Sequence, residues 1–193
     1  MFPSCVWIEK LNFNISKLKN NLDEFKKQGL KIKRSNKNGD QYDDYDNKDF
    51  SDAILKTFPR VNGKKELKDL SVFMWVNRNP KGASNTRHTH ITYTRSLLLS
   101  GVYYVKVPEN SGRIRFYDPR FVSSLNTPDH QYYYNSQSYN FIVPQEDMIL
   151  FFPSWLEHDV EENQSNEERI SIGFNIFAVP ERNSFYKSSY INN

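Results

Sequence analysis

Apolar positions along the chain follow two different periods. Between residues 15 and 28 (ISKLKNNLDEFKKQ), Ile15, Leu18, Leu22 and Phe25 recur at helical spacing with Lys, Asn and Asp between them. That spacing predicts an amphipathic helix. Gly29 is its expected stop, in the left-handed conformation that glycine adopts without strain. Phe50, Ile54 and Phe58 share one face of a second, shorter helix over 50–58, ended by Pro59. The stretch between the helices, SNKNGDQYDDYDNKD, is polar and turn-rich and reads as a loop. Its aspartates read as solvated groups, because no Glu closes a calcium-loop spacing.

From Ser71 onward the period is two. Residues 71–78, 98–107, 113–117, 139–143, 148–152, 156–160 and 169–179 are rich in β-branched and aromatic residues and bounded by Pro, Gly, Asn and Ser. They read as strands. Many short strands after leading helices predict a mainly β protein with N-terminal helices, an antiparallel jelly roll or barrel carrying its helices on one face. No strand–helix alternation of the kind that builds a parallel sheet is visible. The chain divides into a helical part over 1–70 and a jelly-roll core over 71–180 of one domain. The polar stretch 121–138, with Tyr132, Tyr133 and Tyr134, exceeds ordinary loop length and suits a lid or substrate loop.

Composition narrows the classes. The chain has 193 residues with a formal net charge of +3 and no long block of one sign, which argues against a nucleic-acid partner. Only 37% of residues are hydrophobic, yet 15% are aromatic, and aromatic side chains bury large areas each. A single cysteine, Cys5, leaves no disulfide framework and no thiolate metal cage. The first residues lack a basic segment followed by an apolar one, and no apolar run approaches the ~20 residues a membrane span needs. The expectation is a cytoplasmic enzyme or binding protein; edge strands of a jelly roll leave a homodimer open.

Four histidines occur: His88, His90, His130 and His158. If RHTHITY is extended, the imidazoles of His88 and His90 project from the same face and converge. Such a pair can offer two nitrogens to one divalent metal, with His158 as a third ligand from a distant strand. The competing reading makes them satisfied core or surface residues. His130, in a polar loop, reads as exposed and without a role. Eleven residues after His158 stands Arg169, which shares a strand face with Ser171. A planar guanidinium fork beside a hydroxyl suits the remote carboxylate of a dicarboxylate co-substrate. The competing reading pairs Arg169 with Glu167 or Glu168 at the surface.

Several stretches together resemble the 2-oxoglutarate- and Fe(II)-dependent oxygenases, in particular a subgroup of small members found in bacteria and phages. They are RSNKNG (34–39), WVN (75–77), NTRHTH (85–90), SGVYYVKVP (100–108), SGRIRFYDPR (111–120) and FFPSWLEHDVEENQSNEERISIGFN (151–175). The last is the specific one. The resemblance implies a double-stranded β-helix (cupin-like jelly roll) and Fe(II) held by His88, His90 and His158. It also implies 2-oxoglutarate as co-substrate, its 5-carboxylate on Arg169 and Ser171, with molecular oxygen as the oxidant. His90 stands where the superfamily carries Asp or Glu. In an alternative, only one of His88 and His90 binds.

Tyr104 is a candidate further donor to the co-substrate, with Tyr103 on the opposite face as its alternative. Asn77, Asn85 and Asn175 are candidate supporting or substrate donors, or else strand-edge hydrogen bonders. Trp75 and Trp155 read as core or rim packing, and Asp118 as organising its own turn. The implied reaction is oxidation, most simply hydroxylation, of a small-molecule or peptide substrate. Two other classes stay open at this point: a three-histidine metal dioxygenase or isomerase without 2-oxoglutarate, and a non-catalytic jelly-roll binding module.

Overall fold

Residues Arg169–Ala178, the last regular segment among the described residues, form the central strand of the larger of two sheets. The computed structural model describes residues 5–29, 31–32, 34–62, 70–91, 97–119 and 139–178. In chain order the elements are β1 (Trp7–Lys10), α1 (Ile15–Gln28), β2 (Lys31–Ile32), β3 (Asn36–Lys37), β4 (Asp40–Tyr42), α2 (Lys48–Asn62) and β5 (Leu70–Asn79). They continue with β6 (Ser84–His88), β7 (Leu97–Lys106), β8 (Ile114–Tyr117), β9 (Tyr139–Ile142), β10 (Met148–Phe152), β11 (His158–Val160) and β12 (Arg169–Ala178). Seven strands pair in the order β1-β10-β7-β12-β5-β4-β2 and five in the order β3-β6-β11-β8-β9. All described pairings are antiparallel. This is the antiparallel jelly roll that the strand pattern predicts, in the double-stranded β-helix form that the resemblance implies.

Alternation along β12 separates two compartments. Ile170, Ile172, Phe174 and Ile176 point to the helices and join Leu18 and Leu22 of α1 and Phe50, Ile54 and Phe58 of α2 in the main core. The Phe50 ring meets Tyr103 edge-on at 5.0 Å. Arg169, Ser171 and Gly173 point the other way, into the space between the sheets. Both faces of β12 are therefore covered, and nine of its ten residues are buried.

The smaller sheet alternates in the same manner. Glu157, Asp159 and Glu161 face outward and pair with Arg87, Arg115 and Arg113. The arginines lie over Tyr117, Tyr139 and Phe141. His158 between them is thereby directed inward.

The helical part departs from the expected boundaries in three ways. Helix α1 begins after Asn14, whose side chain accepts from the Lys17 N–H at 3.0 Å, and ends at Gln28 as the periodicity predicts. Gly29, however, is extended (φ −68°, ψ 142°) rather than left-handed. It is close-packed there: a Cβ would lie 3.0 Å from the Phe25 ring and carbonyl, so a larger residue would need Phe25 to shift slightly. Helix α2 runs on through Pro59 to Asn62. A proline inside a helix removes one backbone bond, and the buried Phe50–Ile54–Phe58 face holds the helix regardless. Finally, the stretch read as a loop contains β3 and β4, and β2 lies just before it; these strands extend both sheets, and each is only two or three residues long. Strand β1 was not legible either; its Trp7–Lys10 pairs with β10.

Candidate metal centre

His88 ends β6 and is directly opposite His158, which begins β11. His90 lies two residues beyond the strand, where its N–H donates to the Ser154 carbonyl at 2.8 Å. One ring nitrogen from each of the three lies within 4.8 Å of the others. Ring centroids are 4.4 Å apart for His88 and His158, 5.0 Å for His90 and His158, and 5.3 Å for His88 and His90. Both members of the His-x-His pair thus reach the point that His158 faces, although His90 is outside the strand.

Hydrogen bonding sets which nitrogen is available. Nδ1 of His88 faces the Thr86 carbonyl at 2.6 Å, and Nδ1 of His158 faces the Leu156 carbonyl at 2.9 Å. Nδ1 of His90 faces the side-chain Oδ1 of Asn175, also at 2.9 Å. Each acceptor is an oxygen, so each Nδ1 carries the proton and each Nε2 keeps its lone pair free. Burial first, and for His90 and His158 the neighbouring rings as well, lower the pKa of all three imidazoles, that of His90 to about 4. Neutral imidazole is the form that binds a metal.

Arg169 lies deeper between the sheets, 1% exposed. Its Nη1 donates to the carbonyls of Ser111 and Gly112. The surface pairing considered for it does not occur: Glu167 pairs with Lys106 and Glu168 with Arg78. Arg169 pairs with no carboxylate among the described residues, and burial lowers its pKa. Gly112 has φ +89°, and a Cβ there would lie 2.4 Å from the Glu161 carbonyl and 3.0 Å from Nη1 of Arg169. The turn before β8 therefore brings its backbone onto the guanidinium in a form that glycine alone tolerates.

On either side of Ser171, β7 supplies Tyr104 and β5 supplies Asn77, in register. Both line the same cavity as Arg169 and the three histidines. The Tyr104 hydroxyl and Asn77 Oδ1 are buried without a hydrogen-bond partner among the described residues. Tyr103 points to the helical side, where its hydroxyl donates to Asp147 at 2.9 Å.

Trp75 spans the cavity floor over Gly173, where a Cβ would come within 2.4 Å of the indole, and its ring is 5.4 Å from His90. Trp155 is 46% exposed. Asn85 bonds Asn79 and Ser35. Asp118 is not among the residues lining the cavity. His130 and the 121–138 stretch lie outside the described residues.

Sequence reasoning missed Ser100, Ser111, Gly112 and Gly173. Only the two glycines leave a sequence signal, as small residues beside a strand of large ones.

These groups fit Fe(II) and a dicarboxylate. Three neutral imidazoles converge with free lone pairs, and, among the described residues, a buried cation without an anion stands beside a buried hydroxyl without a partner. Buried polar groups of this kind are costly unless something satisfies them.

A family model described as "Putative 2OG-Fe(II) oxygenase" matches residues 73–175, just over half of the chain. The chain belongs to this family and is a 2-oxoglutarate- and Fe(II)-dependent oxygenase. No curated protein matches it. Among solved structures, a prolyl-4-hydroxylase from Pseudomonas putida is 13% identical with a TM-score of 0.66, over 92% of this chain and 94% of that one. The viral collagen prolyl hydroxylase of Paramecium bursaria Chlorella virus-1, in a 2-oxoglutarate complex, is 20% identical with a TM-score of 0.59, over 90% and 96%. HygX from Streptomyces hygroscopicus, with nickel, 2-oxoglutarate and hygromycin B bound, is 10% identical with a TM-score of 0.63, over 91% and 84%. At these identities the likeness is one of fold.

Proposed function

We propose that His88, His90 and His158 hold Fe(II), and that Arg169, Ser171 and Tyr104 bind the 5-carboxylate of 2-oxoglutarate, in a single-domain hydroxylase of a small-molecule or peptide substrate. The observation that carries this reading is the buried guanidinium of Arg169, which has no carboxylate partner among the described residues and lines the same cavity as the three histidines. Bound Fe(II) supplies oxidation by O2: 2-oxoglutarate is converted to succinate and CO2 while the second oxygen atom enters the substrate.

The chain's own residues bind, orient and shield. The guanidinium gives a planar fork to the carboxylate, and the hydroxyls of Ser171 and Tyr104 donate further bonds to it. The backbone carbonyls of Ser111 and Gly112 hold Nη1 of Arg169, so the remaining N–H groups are free for the ligand. Trp75 and Phe152 wall the cavity and restrict water near the reacting atoms.

Among the described residues, no helix is long and apolar enough to cross a membrane. We place the enzyme in the cytoplasm, where reduced iron and 2-oxoglutarate are both supplied. The two alternative classes, a metal dioxygenase or isomerase without 2-oxoglutarate and a non-catalytic module, give way to the family membership.

The test is anaerobic addition of Fe(II) and 2-oxoglutarate to the metal-free protein, followed by visible absorption. A weak metal-to-ligand charge-transfer band is expected in the wild type. It should be absent in Arg169→Ala at the same 2-oxoglutarate concentration, with iron still bound. Retention of the band in Arg169→Ala at unchanged 2-oxoglutarate affinity overturns the assignment of Arg169.

A further inference from the structure

Two of the three histidines are oriented by their own strands. His88 and His158 each place Nδ1 on the backbone carbonyl two residues earlier, Thr86 and Leu156. His90 lies past the end of β6 and uses no such carbonyl. Its Nδ1 is instead 2.9 Å from Oδ1 of Asn175, on the central strand β12. The same Oδ1 accepts the hydroxyl of Ser100 at 2.7 Å. Asn175 and Ser100 are opposite each other in the β12–β7 register, and both are buried, at 4% and 0% exposure.

On the reading that His90 is a metal ligand, we infer that Asn175, supported by Ser100, is the positioning residue that makes a histidine usable at this place in the ligand set. A carboxylate ligand has no second N–H to satisfy. An imidazole does, and a buried N–H needs an acceptor. Asn175 Oδ1 is that acceptor, and two donors, His90 and Ser100, converge on it. Were the amide turned over, its NH2 would face the ring and force the imidazole proton onto Nε2, the nitrogen the metal requires. Groups that orient a ligating imidazole typically change metal affinity by about 10–100-fold when removed.

The test uses the full-length, metal-free protein and Co(II) as probe, under inert atmosphere, reading the dissociation constant, the visible d–d bands and the melting temperature before metal is added. Asn175→Ala, which also lowers the melting temperature by leaving two buried donors without an acceptor, is expected to weaken Co(II) binding by about 10–100-fold and to alter the d–d bands. Asn175→Asp, which offers an acceptor in either orientation, is expected to restore both. Ser100→Ala is expected to give a smaller loss of the same kind.

Wild-type affinity and bands in Asn175→Ala overturn the inference. So does an Asn175→Asp protein that melts like the wild type yet binds no better than Asn175→Ala. Should Asn175→Ala fail to fold, Asn175→Asp and Ser100→Ala decide: weaker binding in Ser100→Ala with wild-type binding in Asn175→Asp supports the inference, and any other pairing overturns it. His158→Ala is the control for the metal site itself. If wild type and His158→Ala bind Co(II) equally, or neither binds, the three-histidine reading fails and the inference falls with it. If only the wild type binds, the results at Asn175 and Ser100 bear on the inference alone.

Discussion

Tyr104 and Arg169, on the adjacent strands β7 and β12, are each 1% exposed and electrostatically coupled. Neither has an anion to serve among the described residues, and the Tyr104 hydroxyl has no hydrogen-bond partner. Burial pushes the phenol pKa up, so the group is a neutral donor at any working pH.

This pair makes Tyr104→Phe a variant with two effects of opposite sign. Removing an unsatisfied buried hydroxyl leaves the ligand-free protein as stable as before or slightly more so. Removing one donor to a carboxylate costs 2-oxoglutarate binding about 0.5–1.5 kcal/mol, roughly 2–10-fold in affinity. Melting temperature without ligand, and the 2-oxoglutarate concentration for half-maximal turnover, check the two halves. A variant that loses stability without ligand and keeps its affinity contradicts the role given to Tyr104.

Gly112→Ala forces a side chain onto a backbone at φ +89°, against the Glu161 carbonyl and the Arg169 guanidinium. A strained position of this kind costs about 1–3 kcal/mol. Because the same turn holds Nη1 of Arg169, the 2-oxoglutarate requirement should rise together with the loss of stability. Urea unfolding and co-substrate titration of the purified variant measure both. A destabilised variant with unchanged 2-oxoglutarate affinity would separate the turn from the guanidinium.

Gly173→Val places a branched side chain where the Trp75 indole lies. Overpacking a closed interior costs about 1–3 kcal/mol, and displacement of the indole also disturbs His90, whose ring is 5.4 Å away. Intrinsic tryptophan fluorescence should change, and metal affinity should fall. An unchanged emission spectrum would show that the indole is not held there in solution.

The Arg78–Glu168 pair gives a pH-dependent contribution beside the site. Hydrogen bonding to the Arg78 guanidinium holds the Glu168 carboxyl below its ordinary value of 4.5. A carboxyl depressed in the folded state contributes stability that is fully present above its unfolded value and is lost as pH falls through the folded value. The melting-temperature difference between wild type and Glu168→Gln should therefore be constant above about pH 4.5 and shrink below it. A difference that widens on acidification would contradict the pairing.

Much of this protein was legible from local pattern. The bounds of α1 follow from the spacing of Ile15, Leu18, Leu22 and Phe25. The longer strands follow from alternation, because each has enough residues to show a period of two. His88, His90, His158 and Arg169 stand out by residue type and spacing, and the specific segment 151–175 ties them to one family.

What local pattern did not contain is whatever depends on a distant partner. Strands β2, β3 and β4 are too short to show a period; β4 and β3 exist because β5 and β6 offer them an edge, and β2 because β4 does. Helix α2 runs past Pro59 because its buried Phe50–Ile54–Phe58 face holds it, and Gly29 is extended, close against the Phe25 ring. The sequence alone thus determined the strand and helix types and the candidate chemistry. Only the tertiary structure decided that Tyr104 rather than Tyr103 lies in the cavity, that Arg169 pairs with no carboxylate among the described residues, and that Asn175 Oδ1 meets both His90 and Ser100. Strand register sets which side chains meet, and register is a property of paired chains, not of either chain read alone.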